Sequence, residues 1–206
     1  MPQIYYCDME KFEHLYEECI ALLPMKRREK AERKINKNAA LLSAAAGLML
    51  KKVLGITDDE MLYYNEHGKP FLRNGPFFSI SHSRRYAVLS VSDEPIGVDV
   101  EMNRDIDEGI INRCFTEKEG IFARMSTENY LRIWTAKEAV LKLLGTGFSF
   151  SPKNFSVLPF DEEHEINGIN MRFFVSILGD APLTAAYCGN NNEFEITELL
   201  PEDLIY

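Results

Sequence analysis

The sequence predicts an α+β protein built from two halves that share one order of elements. Two observations carry this prediction. In each half, segments with apolar residues at helical spacing come first and runs of strand-forming residues follow. The strands are grouped and do not alternate with helices, which argues against a doubly wound parallel sheet. The 206 residues suffice for one large domain or for two of about 100 each. The expected division is 1–102 and 103–206, with a site in the cleft between the halves.

The elements follow in order. Residues 4–9 read as an opening strand. A helix is expected from Asp8, with Phe12, Leu15, Tyr16, Cys19, Ile20 and Leu23 on one side. Pro24 breaks that helix and can start the next in its first turn. Asn38 is positioned to cap a third helix over 39–54, and Gly55 suits its C-terminal end. A strand over 61–65 and a turn at Gly68-Lys69-Pro70 precede strands over 77–80, 86–92 and 96–101. The second half starts near Met102. Thr116 and Glu119 form a capping box. Ser126 or Thr127 caps the next helix, which runs to Leu144 and stops at Gly145. Strands are expected over 155–158, 171–177, 183–187 and 194–197, with a turn at Asn190-Asn191-Asn192 between the last two.

Composition bounds the function. At 46% hydrophobic and 27% charged residues, the chain has the balance of a soluble globular protein with a real core. No apolar run approaches the roughly 20 residues that span a bilayer, and the first residues lack the pattern of a signal peptide. Cys7, Cys19, Cys114 and Cys188 show no paired spacing, which fits a reducing cytoplasm and argues against zinc or a disulfide framework. A net charge of −9 argues against non-specific nucleic-acid binding. Against that background Lys26, Arg27, Arg28, Lys30, Arg33, Lys34 and Lys37 crowd one segment. Such a patch can bind a small polyanion, although Glu29 and Glu32 between them equally fit a solvated helix face.

Four stretches carry candidate chemistry. In Gly97-Val98-Asp99-Val100-Glu101 the β-branched residues favour a strand, so Asp99 and Glu101 point the same way. Two carboxylates so placed suit a hard cation such as Mg2+; alone, the pair also fits a solvent-facing strand edge. On the helix over 129–144, Trp134, Glu138 and Lys142 share a face. Glu138 and Lys142 can pair with each other, or Glu138 can join Asp99 and Glu101 at a metal while Lys142 faces a phosphate. His82 lies among small hydroxyls in Ser79-Ile80-Ser81-His82-Ser83, where it can meet an anion or sit in a plain turn. Gly68-Lys69-Pro70 is a turn with one lysine. The chain has no phosphate-binding Gly-x-x-x-x-Gly-Lys-Ser/Thr loop and no Gly-x-Ser-x-Gly elbow, so Ser81 is a poor nucleophile candidate.

Together with Phe115-Thr116-Glu117-Lys118-Glu119 and Gly145-Thr146-Gly147, these stretches occur in an order and spacing that resembles the 4′-phosphopantetheinyl transferases, in particular the longer, surfactin-synthetase-activating type. The resemblance implies a pseudo-twofold fold of two α+β halves. It also implies transfer of phosphopantetheine from coenzyme A to a serine of an apo acyl or peptidyl carrier protein, with Mg2+ and with release of adenosine 3′,5′-bisphosphate. It assigns Asp99, Glu101 and Glu138 to the metal, Glu138 to proton abstraction and Lys142 to the pyrophosphate. Lys69, Ser81 and His82 fall to the nucleotide end of the coenzyme, within reach of Arg27, Arg28 or Lys30. Two features depart from the family pattern. Ser79 stands where Asn is usual, and 41–47 contains no arginine, leaving Ser43 as its polar residue. A monomer in the cytoplasm, without nucleic-acid or membrane partners, is expected. A non-catalytic coenzyme-binding module and a metal-dependent phosphohydrolase are the competing readings.

Overall fold

The computed structural model describes residues 1–34, 36–190 and 193–205. The chain opens with β1 (Gln3–Asp8), two 3-10 turns (Met9–Lys11 and Glu13–Leu15) and α1 (Tyr16–Ala21). The single helix expected from Asp8 is therefore broken. The Asp8 carboxylate accepts from the Glu10 amide and clasps Arg85 at 2.8 and 2.5 Å, which bends the chain tightly after the strand. α2 (Met25–Glu32) begins directly after Pro24, as expected. α3 (Lys37–Leu54) is capped by Asn36, which accepts from the Ala39 amide, and not by Asn38. Asn38 donates to the Arg84 carbonyl at 2.8 Å instead. Gly55 closes α3 at φ +67°, a conformation that costs glycine nothing.

A third 3-10 turn (Asp59–Met61) takes the start of the strand expected over 61–65 and leaves β2 (Tyr63–Tyr64), paired with β3 (Pro70–Phe71). β4 (Phe77–Ser83), β5 (Tyr86–Ser92) and β6 (Ile96–Val100) follow as expected. α4 (Glu108–Cys114), capped by Asp107, was not foreseen. α5 (Glu117–Ala123) carries the expected capping box, and α6 (Thr127–Leu144) runs from its Ser126 cap to Gly145 at φ +69°. The strand expected over 155–158 is irregular chain. β7 (His164–Ile166), β8 (Ile169–Leu178), β9 (Ala181–Tyr187), β10 (Glu195–Glu198) and α7 (Pro201–Ile205) complete the chain.

The strands form two four-stranded sheets, β10-β1-β5-β4 and β6-β9-β8-β7. Neighbours are antiparallel except β1 and β10, which run parallel. Sheet membership crosses the middle of the sequence: β6 pairs with β9, and β10 returns to β1. The last two strands thus lie in different sheets and make no hairpin; Asn191 and Asn192 of the expected turn lie outside the described residues.

Three cores define the layers. Leu41, Ala45 and Leu48 of α3 pack with Cys7, Ala87 and Leu89 on the outer face of the first sheet. Ile133, Ala136 and Val140 of α6 pack with Met171 and Ala186 on the outer face of the second. Between the sheets lie Ile4, Val88, Val98, Val100, Leu183 and Ala185. Central strands β5 and β9 are therefore covered on both faces, which is why they read as nearly continuous apolar runs.

Candidate active site at the junction of the two sheets

The site forms where edge strand β4 meets edge strand β6. Alternate residues of β6 donate their amides in opposite directions. The Glu101 amide bonds the Pro182 carbonyl, continuing the β9 pairing, while Val98, Val100 and Met102 donate to the hydroxyls of Ser79, Ser81 and Ser83 at 3.1, 3.4 and 3.1 Å. A row of serine side chains thus replaces the backbone ladder between the sheets. The alternation that aims these serines at β6 turns Ile80 and His82 the other way, into a cleft.

Helix α6 lies directly on β6. A methyl group at Gly97 would stand 2.0 Å from the Ala139 carbonyl oxygen and 2.4 Å from the Leu143 nitrogen, so glycine there permits backbone-to-backbone approach. That approach brings Glu138 and Lys142 beside Asp99. Lys142 Nζ donates to Asp99 Oδ1 at 2.7 Å and to Ser81 Oγ at 2.8 Å, and Ser81 donates to the same Asp99 oxygen at 2.7 Å. Lys142 therefore bridges to the strand and does not form the i,i+4 pair with Glu138 that its spacing allows. Glu101 accepts from Ser83 at 2.9 Å through Oε2 and from Trp134 Nε1 at 3.0 Å through Oε1, with Arg104 3.7 Å away. As expected, Asp99 and Glu101 leave the same face of the strand.

The charges are strongly coupled. Burial, followed by the charges of Asp99 and Glu101 against the opposing Lys142, pushes the Glu138 carboxyl up to about 7. Burial likewise raises Asp99, against the pull of Lys142 and Ser81. Asp99 Oδ2 is buried without a hydrogen-bond partner. An all-oxygen set of acids, with an orphaned carboxylate oxygen and a neighbour held toward its neutral form, has the chemistry that a hard divalent cation relieves. Among the described residues, no three or more His, Cys, Asp or Glu side chains already stand grouped to ligate a metal; the Lys142 ammonium occupies the other Asp99 oxygen.

Two clefts adjoin, the first of them at this centre. One, of about 230 Å3, is lined by Lys69, Phe78, Glu138, Lys142 and Gly145. The other is also about 230 Å3 and is basic, lined by Arg27, Lys30, Lys34, Ser43, Tyr64 and His82. They share Gly68, Pro70 and Ile80 as walls. Partial desolvation in the basic cleft, then the ammonium groups of Lys142 and Lys34, lower the His82 imidazole. Lys69 donates to the Leu143 carbonyl at 2.9 Å, at the negative end of the α6 dipole, and burial lowers its amine to about 8. Ser81 is buried at the Asp99–Lys142 contact and does not line the basic cleft.

The basic segment divides its roles. Lys26 pairs with Glu60 and Arg33 with Glu29 on an exposed face, while Arg28 donates to the Ala21 carbonyl. Arg27, held by Asp59, joins Lys30 and Lys34 at the cleft. The sequence reading did not single out Ser83 or Lys137. Lys137, on the apolar side of α6, is fully buried and pairs with fully buried Glu119 at 2.8 Å. It also donates to the carbonyls of Pro152 and Phe155.

The basic cleft thus lies next to the cleft that holds Glu138 and Lys142. Residues 95–188 match the family model of the 4′-phosphopantetheinyl transferase superfamily. A 4′-phosphopantetheinyl transferase, gsp, of Aneurinibacillus migulanus is 32% identical over 60% of this chain and 56% of its own length. The transferase Sfp of Bacillus subtilis (strain 168) is 27% identical over 74% of this chain and 73% of its own. Among solved structures, the Thermotoga maritima holo-[acyl-carrier-protein] synthase matches 47% of this chain and 64% of its own, with 19% identity and a TM-score of 0.34. Residues 95–188 are thus similar to the 4′-phosphopantetheinyl transferase superfamily, and the chain spans little more than half the length of the Aneurinibacillus relative.

Proposed function

We propose that the protein transfers 4′-phosphopantetheine from coenzyme A to a serine hydroxyl of an apo acyl or peptidyl carrier protein, releasing adenosine 3′,5′-bisphosphate. The observation that carries this reading is that the basic cleft and the cleft of Glu138 and Lys142 lie side by side, with Gly68, Pro70 and Ile80 lining both. Coenzyme A has phosphates at two separated places, and a ligand lying through both clefts would meet a cation at each. Arg27, Lys30, Lys34 and His82 would hold the nucleotide end, with Ser43 and the Gly68-Lys69-Pro70 wall beside them. Lys142 would leave Asp99 for the pyrophosphate.

Phosphoryl transfer of this kind demands positioning and charge neutralisation more than covalent catalysis. Glu138, held up to about 7, is suited to take the proton of the incoming serine. Asp99, Glu101 and Glu138 would hold Mg2+ through oxygen. Bound there, the ion would neutralise the charge that develops on the departing adenosine 3′,5′-bisphosphate. In this reading the reaction takes place between the halves 1–102 and 103–206 of a cytoplasmic monomer. No helix among the described residues is long and apolar enough to cross a membrane.

The test is mass spectrometry of a panel of apo carrier proteins after incubation with coenzyme A and Mg2+. A gain of one phosphopantetheine on serine is expected. No gain on any carrier defeats the proposal, and release of phosphopantetheine without a carrier present marks a hydrolase instead.

A further inference from the structure

We propose that Ser83 is a positioning residue for the acidic centre: its hydroxyl sets the Glu101 carboxylate in the orientation that receives the divalent cation. This rests on the cation reading given above. The serines of β4 are in register with β6, and each accepts the amide of one alternate residue. Accepting that amide fixes one lone pair of each hydroxyl and so limits where its single proton can point. At Ser81 the proton goes to Asp99 Oδ1, and at Ser83 it goes to Glu101 Oε2 at 2.9 Å. Ser79 accepts the Val98 amide but touches neither carboxylate. One row of identical side chains therefore does two things. At Ser79 it joins the sheets. At Ser83 it joins them and also aims an acid.

Glu101 needs this more than Asp99. Its longer side chain has more rotamers to lose, and Lys142 does not pin it. Trp134 donates to Oε1, which also has Arg104 3.7 Å away, while Ser83 is the one side chain that donates to Oε2 among the bonds described. Hydrogen bonds of this kind, one step removed from a metal, commonly set ligand orientation and affinity.

The experiment is calorimetric titration of the full chain with Mg2+ and Mn2+ in the absence of coenzyme A. Ser83→Ala is expected to weaken cation binding by about 10-fold or more, and Ser83→Thr, which keeps the hydroxyl, to bind within about 2-fold of wild type. Ser79→Ala is expected to lower Tm while leaving cation affinity unchanged. A Ser83→Ala protein that binds as tightly as wild type overturns the role of Ser83 alone. A wild-type protein that binds neither ion overturns the cation reading beneath it. A thermal double-mutant cycle of Ser83→Ala with Glu101→Ala, which removes the acceptor, separates the two further. Tm shifts that do not add support the Ser83–Glu101 contact, and additive shifts overturn it whatever the ions do.

Discussion

Glu138 carries the most informative titration in the molecule. Its folded pKa of about 7 lies above the ordinary 4.5, so the native state binds the extra proton between those values. Stability from this group is fully present below about 4.5 and is lost as pH rises through 7. Glu138→Gln mimics the protonated form. In metal-free protein the variant should melt higher than wild type at pH 8, by about 3 kcal/mol or roughly 5–10 °C, and show no gain at pH 4. Thermal melts at the two pH values decide this; a gain that persists at pH 4 would assign the effect to packing. Lys137 makes the opposite case. Replacing it with Met leaves the Glu119 carboxylate buried without its counter-charge, although Thr116 and Val157 amides still donate to it. The loss should be about 3–5 kcal/mol in denaturant unfolding, far above that of an exposed lysine.

At the scale of elements, the contact of α6 with β6 decides the site. Gly97→Ala would drive a methyl group into backbone atoms of α6, which cannot rotate away as a side chain can. We expect at least about 3 kcal/mol of destabilisation, more than overpacking against flexible side chains usually costs. Gly55→Ala is the control. It has open space around it but φ +67°, so the loss should be about 1 kcal/mol, from backbone strain alone. Equal losses in chemical denaturation would mean that α6 moves off β6 freely. The segment over 152–157, a 3-10 turn (Pro152–Asn154) followed by irregular chain, belongs to the same scale. Its Val157 amide bonds Glu119 and its Phe155 carbonyl accepts from Lys137, so two side chains serve the backbone where a neighbouring strand would. Phe155 and Val157 are buried, which gives the segment the apolar look of a strand without the ladder.

For the whole molecule, the crossing of β6 and β10 between sheets makes the halves mutually dependent. A fragment of residues 1–102 would keep β6 without β9 and leave β1 without its β10 neighbour. It would also lose Leu199 from the first core. Neither 1–102 nor 103–206 should give a cooperative melt alone, and folding should return when the two are mixed. Circular dichroism of the separate and mixed fragments tests this; independent folding of either half would contradict it. The same crossing ties the site to global stability, because the strand that carries Asp99 and Glu101 is held by a sheet from each side.

The sequence by itself determined what local chemistry can decide. The helices with strong signals, α2, α3, α5 and α6, and the strands β5, β6, β8 and β9 were legible from periodicity, caps and glycine stops. So was the shared face of Asp99 and Glu101, because strand alternation is a property of the backbone. One local signal went unused: Asn167-Gly168, both at positive φ, is a hairpin turn that announces β7 against β8. Tertiary structure alone decided the rest. Which strand joins which sheet, that Lys142 reaches Asp99 and not Glu138, and that Ser79, Ser81 and Ser83 meet β6 all depend on residues far apart in the chain. Spacing along one helix or strand fixes a face, but what that face meets is set by the packing of layers, and the energy of a buried charge or hydroxyl lies in the partner it finds there.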